Sequence, residues 1–263
     1  MTGSKRKLGR RTGAVVQERD RIFFRELASV MRVVDREQAQ IAFGLRSMRR
    51  TNRRLLKLVR AGFLRQIFIA NSVIGQKALY ALSPNGAALI GAAGPVPPLR
   101  QSAFGASPFL LHRLAINEIY LTLKYQPLPR TDLRLVRWTS FRETLSAAIP
   151  LTPDGYFEIG GRETRAMFLE ADLGTEGITV WQKKIQLYLQ LALSGKFTEL
   201  FRQNQFRVLI VATSDRRLRN IQAEVSKATD KIFWLSTFQQ IKQRGFWSPV
   251  WLRPSGTQPQ PLL

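Results

Sequence analysis

Cysteine is missing from the sequence altogether, and histidine occurs once, at His112. Their scarcity excludes disulfides, thiolate zinc sites and cysteine nucleophiles, and it leaves no set of imidazoles to hold a metal. Acidic residues are scarce too: 18 Asp and Glu stand against 41 Lys and Arg, a formal net charge of +23 over 263 residues. Such an imbalance points to a polyanionic partner, with nucleic acid first and a membrane surface as the competitor. No apolar run approaches the roughly 18 residues of a spanning helix, so no membrane partner is expected. The opening residues are basic with no apolar run behind them, which reads as a basic tail over 1–18 rather than a secretory signal. A cytoplasmic location is the expectation. The length suits two domains, each with its own core, and no internal repeat at solenoid or propeller periods is evident.

In the N-terminal half, apolar residues at helical spacing from Asp20 to Val34 predict a first amphipathic helix. Asp35 with Gln38 three residues on resembles a capping box, so a short second helix over about 36–43 follows, stopped by Gly44. A third helix is predicted over about 46–61, with Met48, Leu55, Leu56 and Val59 on its buried side. Arg46, Arg50, Arg53, Lys57 and Arg60 recur along another face, and Arg49 and Arg54 bring the basic residues to seven with no acid among them. Strands at Phe63–Ile69 and Lys77–Leu82 flank a loop, and Ser83-Pro84 starts another helix. Three helices followed by a two-stranded ribbon is the order of a winged helix-turn-helix over 19–91. In such folds the third helix meets double-stranded DNA in the major groove, so these seven side chains are the expected DNA contacts. The competing reading is a merely solvated charged face.

Residues 92–108, rich in Gly and Pro, read as a linker. The segment 109–252 then reads as α-β-β-β-α-β-α-β, an α/β domain with helices on the faces of a sheet, and 253–263 as a disordered, proline-containing tail.

Candidate chemistry converges on residues 153–188. Alternation along the strand Arg165–Asp172 puts Glu170 and Asp172 on one face. If the preceding strand pairs as a hairpin, Asp154 at its start lies beside the end of the strand that carries Glu170. Three carboxylates that close repel one another, and Mg²⁺ or Mn²⁺ with oxygen ligands would relieve them. On the next helix Trp181, Ile185, Tyr188, Leu189 and Ala192 form a stripe with Lys184 at its edge and Lys183 nearly opposite. Lys184 is therefore the lysine expected to reach the carboxylates, where it could orient a water or steady phosphate charge. Read blandly, these acids cap turns and balance a basic surface. Glu118 and Glu143 are weaker candidates, and His112 reads as a packed or capping residue.

The segments Leu55–Leu64, Tyr80–Gly86, His112–Ala115, Pro153-Asp154-Gly155, Phe168–Glu176 and Lys184–Tyr188 resemble the replication-relaxation proteins of plasmids and mobile elements, a family that includes mobilisation proteins of the MobC type. The resemblance implies that the second domain is similar to the PD-(D/E)XK nuclease fold, in which an aspartate and a glutamate bind the metal and a lysine assists the attacking water. Asp154 and Glu170 would then be the metal ligands. Asp172 stands where the lysine usually does, so Lys184 would substitute from the next helix.

The expected function is DNA binding in plasmid replication, mobilisation or their control, with Mg²⁺- or Mn²⁺-dependent nicking through Asp154, Glu170, Asp172 and Lys184, and with other replication or mobilisation proteins as further partners. Two alternatives stay open: a non-catalytic DNA-binding regulator with a degenerate nuclease fold, and a basic structural protein without specific recognition.

Overall fold

The computed structural model describes residues 15–71, 75–92 and 108–263. The fold is mixed α/β, with a three-stranded and a five-stranded sheet. The chain folds as two compact units, 1–117 and 118–263. The proposed linker and most of the N-terminal tail lie outside the described residues.

The first unit opens with α1 (Glu18–Glu26), whose helical path continues through one π-helical turn, Leu27–Met31, and stops at Arg32 with φ +60°. The single helix expected over 20–34 therefore ends early, and Val33–Val34 forms a short strand, β1. Asp35 caps α2 (Arg36–Phe43) by accepting the backbone N–H of Gln38 at 2.8 Å. The reciprocal half of the capping box is absent, because the Gln38 side chain donates instead to the Leu114 carbonyl at 2.7 Å. Ser47 caps α3 (Met48–Arg60) through the Arg50 N–H. β2 (Leu64–Asn71) and β3 (Gly75–Leu82) pair antiparallel, and β1 adds to the other edge of β3. Ser83 caps α4 (Pro84–Leu89), with Pro84 at its first position. Gly86 in that helix sits so close to the ribbon that a Cβ would lie 2.3 Å from the Phe63 carbonyl oxygen, so no other residue fits there.

Two polar contacts fix the packing of this unit. Arg54, on α3, turns inward and makes a bidentate ion pair with Asp20 of α1, which is fully buried; the Nε–Oδ1 bond is 2.9 Å. On α5 (Pro108–Tyr125), buried Asn117 donates to the carbonyls of Val33 at 2.6 Å and Met31 at 3.3 Å, which satisfies backbone groups that the short β1 strand leaves over. Leu110 and Leu114, also on α5, join Val33, Ile67, Ile69, Leu79 and Ala81 in an apolar cluster.

The second unit is built on a sheet of order β4-β5-β6-β7-β8: β4 (Arg134–Thr139), β5 (Gly155–Gly160), β6 (Arg165–Asp172), β7 (Phe206–Ala212) and β8 (Phe233–Thr237). The first three strands run antiparallel, and β6-β7-β8 are parallel. Parallel neighbours need crossovers, supplied by α6 (Ile178–Leu193) with α7 (Lys196–Phe201), then by α8 (Asp215–Ala228); α9 (Phe238–Arg244) follows β8. Apolar residues of alternate parity on β5 to β8, among them Tyr156, Phe168, Val208, Ile210 and Leu235, face Trp181, Ile185, Tyr188 and Leu191 of α6 and the apolar stripe of α8. Leu191 takes the buried place expected for Ala192, which is exposed.

Far from hanging free, the C-terminal segment docks on the second unit. Leu252 exchanges backbone hydrogen bonds with Leu235 of β8, Trp251 does so with Gln260, and Leu262 is buried. The guanidinium groups of Arg207 and Arg253 both pack over Trp234, 4.8 and 4.5 Å from its ring centre. The prolines that suggested disorder here belong to a loop that turns at Pro254-Ser255 and doubles back, pairing Gln260 with Trp251.

Breaking the Asp20–Arg54 pair from one side leaves an uncompensated buried guanidinium. Asp20→Asn should therefore cost about 3–5 kcal/mol, read as a lower urea midpoint at unchanged m-value. An unaltered midpoint would show that the pair does not hold α1 to α3.

Candidate functional site

Two features of the fold carry candidate chemistry, one in each unit. In the first, the buried stripe of α3 is Thr51, Arg54, Leu55 and Leu58, a three- and four-residue spacing that leaves Leu56 exposed. Arg54 thus belongs to the interior and leaves the set of expected DNA contacts; a basic residue at the right helical phase to meet buried Asp20 was indistinguishable by composition from its neighbours. Arg46, just before the helix, and Arg49, Arg50, Arg53, Lys57 and Arg60 within it are all exposed. With no acid in α3, they form an uninterrupted cationic face.

In the second unit the antiparallel register sets Tyr156 opposite Phe168 and Gly155 opposite Leu169, so Asp154, the residue just before β5, comes beside Glu170. The Asp154 carboxylate accepts the Ala171 N–H at 2.8 Å, which holds it against β6. Glu170, 1% exposed, accepts the Tyr188 hydroxyl at 2.5 Å on Oε1 and the Lys184 ammonium at 2.9 Å on Oε2. Lys183 is exposed, as helix phase predicts. Asp154, Glu170 and Lys184 are therefore brought together.

Asp172 shares their face of β6 but is engaged elsewhere. Arg217 of α8 grips both its oxygens at 2.7 and 2.8 Å, the Trp181 indole N–H donates at 2.7 Å, and the Gly174 N–H at 2.8 Å. Gly174 has φ +78°, the left-handed conformation that lets the chain turn back over the carboxylate. The expected triad of mutually repelling carboxylates is thus a pair plus a separately neutralised aspartate. Sequence reasoning passed over two residues that matter here. Glu176, in the turn after β6, receives Lys184 on both oxygens at 2.9 and 3.0 Å. Arg217 also donates to the Glu176 carbonyl at 2.6 Å, pinning that turn. Glu176, eight residues before Lys184 but outside α6, lay beyond any helical-phase argument, and Arg217, 45 residues from Asp172, had no local signal.

Electrostatics sorts these groups. Burial raises the Glu170 carboxyl; Lys184 and the Tyr188 hydrogen bond oppose the rise and the Asp154 charge adds to it, leaving the group at about 7. Burial alone would lower the Lys184 ammonium, yet Glu170, Asp154 and Glu176 together carry it above its ordinary value. Lysine facing three acids stays charged, so Glu170 is the member of the pair that titrates. For Asp172, burial is outweighed by Arg217 and Trp181, which hold the carboxyl below its usual range. Tyr188 is pushed well up by burial and by Glu170, so it remains a donor.

Among the described residues, no three Asp, Glu, His or Cys side chains are grouped to enclose a metal ion. The donor chemistry at Asp154 and Glu170 nevertheless fits a hard divalent cation: one carboxylate just before β5 and one on neighbouring β6, with three acids facing one lysine, leave negative charge unbalanced. Mg²⁺ commonly takes one or two carboxylates and keeps its waters. Glu118 and Glu143 are exposed, and His112 is half-buried on α5 within the first unit.

Compared with known proteins, the chain matches the sequence model of the family described as replication-relaxation over residues 30–204, about two thirds of its length. No curated protein and no solved structure matches it. The match takes in α3, Asp154, Glu170, Asp172 and Lys184 and ends before α8. Among the described residues, no helix is long and apolar enough to cross a membrane.

The raised Glu170 carboxyl makes a signed prediction. Its usual value is about 4.5 and its folded value about 7, so between those pH values the folded chain holds the proton more tightly than the unfolded one. Stability from this group is full below about pH 4.5 and is lost as pH rises to about 7, by at most ~3 kcal/mol. In the presence of a chelator, the stability of the unmutated protein relative to Glu170→Gln should therefore fall between pH 4.5 and pH 8 in urea unfolding. A constant difference would contradict the assignment.

Proposed function

The chain belongs to the replication-relaxation family, which points to replication or relaxation of plasmids and mobile elements, and from that premise we propose that it binds duplex DNA through α3 and cuts or nicks it at Asp154, Glu170 and Lys184. The observation that carries the binding half is the exposed run of six basic side chains on and just before a helix without acids. In this reading the first unit is a winged helix-turn-helix: α3 enters the major groove and the β2–β3 ribbon is the wing. Arg and Lys dominate the face, so phosphate contacts supply most of the affinity, and binding weakens steeply with salt.

The second unit, read as similar to the PD-(D/E)XK nuclease fold, supplies the chemistry. Asp154 and Glu170 would hold Mg²⁺ or Mn²⁺, which when bound contributes positive charge to the phosphate oxygens and acidifies a coordinated water. Tyr188 keeps Glu170 oriented by donating to its inner oxygen. Lys184, charged and anchored by Glu176, is placed to bind a phosphate oxygen or orient a water. Asp172 is assigned no contact with substrate; with Trp181 and Arg217 it fixes the start of α6 and the turn that presents Glu176.

One observation favours a second reading, a non-catalytic DNA-binding factor: both Glu170 oxygens and the Lys184 ammonium are already satisfied within the protein. A single incubation with supercoiled plasmid separates the two. With Mg²⁺ or Mn²⁺ the unmutated protein should give relaxed or linear DNA, Glu170→Ala and Lys184→Ala should bind without product, and Arg50→Ala/Arg53→Ala should bind at least about tenfold more weakly with a salt slope lower by about 2. Binding without product from the unmutated protein selects the non-catalytic reading. Unchanged binding by the double arginine variant would remove α3 from the interface.

A further inference from the structure

C-terminal to the segment matched by the family, a cleft of about 830 Å³ runs along α8. Its walls are one face of α8, including Asp215, Leu218 and Arg219, then the end of β8 with Gln240 and Arg244 of α9, and the C-terminal segment 250–259. The cleft is built: Gln222 of α8 donates to the carbonyls of Arg253 and Gly256 at 2.8 and 2.9 Å, and the Leu235–Leu252 backbone pair holds the opposite wall. We propose that this cleft binds a phosphate ester of nucleotide size.

The lining chemistry carries the assignment. Arg219 and Arg244 are exposed on it, and among the described residues neither is in an ion pair, so two guanidinium groups are available to an anion. Guanidinium forks match phosphate geometry and hold it with paired, charge-assisted hydrogen bonds. Ser236, 1% exposed and part of the lining, carries a hydroxyl without a hydrogen-bond partner among the described residues. A buried hydroxyl in that state calls for a partner, and in the proposed reading a phosphate oxygen in the cleft supplies it. Leu218, Val250, Leu252 and Pro254 supply an apolar floor for a sugar or base. The volume falls in the range of small-ligand sites, roughly 300–1,000 Å³, and is too small for a duplex. Among the described residues, Asp215 is the only acid in the lining. A net charge of +23 favours a nucleotide phosphate over a cationic ligand.

A free nucleotide and a single DNA strand present this same chemistry, and the site does not depend on the α3 or nuclease readings. The test uses the full chain carrying Arg50→Ala and Arg53→Ala, so that α3 contributes little. At low salt, calorimetric titrations are run with thymidine 5′-monophosphate, with a single-stranded hexathymidylate, and with hexaglutamate as an anion lacking phosphate. Binding of either phosphate ligand, weakened about tenfold or more by adding Arg219→Ala and Arg244→Ala, supports the site. Monophosphate binding assigns a free nucleotide, and binding of the hexamer alone assigns a strand. Both added substitutions are at exposed positions, and an unchanged urea midpoint verifies the fold. Equal affinity after the substitutions, no binding of either phosphate ligand, or hexaglutamate binding as tightly as both would overturn the proposal.

Discussion

A buried carboxylate held by one tyrosine and one lysine is the interaction on which the second unit depends. Glu170 sits at the middle of the sheet's end, 1% exposed, and its two oxygens are taken by Tyr188 and Lys184, both on α6. A carboxylate in such a place is costly unless it is hydrogen-bonded and paired. The pairing therefore fixes α6 in rotation and height over β6. Lys184 passes the constraint to Glu176, and Arg217 passes it through Asp172 to α8. Sheet, both crossover helices and the turn from β6 into α6 are tied through these side chains, while the apolar cluster beneath supplies the bulk of the burial.

The first unit solves a related problem with opposite emphasis. Six exposed cations in and beside one helix repel one another and offer little to hold that helix down. Leu55 and Leu58 supply apolar packing, and Arg54 turns the same chemistry inward to grip Asp20 of α1. One basic side chain thus anchors the helix while its neighbours stay free for a polyanion. That division explains how a helix so charged can be both firmly seated and available.

Local patterns made much of this legible. Period-two alternation placed Glu170 and Asp172 on one face, helix phase chose Lys184 over Lys183, cap residues located α2 and α4 to within a residue or two, and the apolar and basic spacing did the same for α3. What escaped were contacts between distant positions. Arg54 looked like any other arginine of its stripe because its partner lies 34 residues earlier, and Asp172 looked like a third ligand because Arg217 lies 45 residues later. Short elements with few periodic residues, α7 and α9, were also missed, as was the π turn that closes the first helix. The C-terminal segment was misread for a different reason: its prolines are compatible with an ordered, docked loop as well as with disorder, and only Trp251, Leu252 and Leu262 show which.

In the proposed reading, the charge left over at Asp154, Glu170 and Glu176 after Lys184 is counted is what draws a divalent ion to the site. Calorimetric titration of Mn²⁺ into the metal-free full chain at pH 8 tests this most directly. One ion per chain is expected, with affinity reduced at least about tenfold in Glu170→Gln. Absence of Mn²⁺ binding, or binding indifferent to that substitution, would contradict the account.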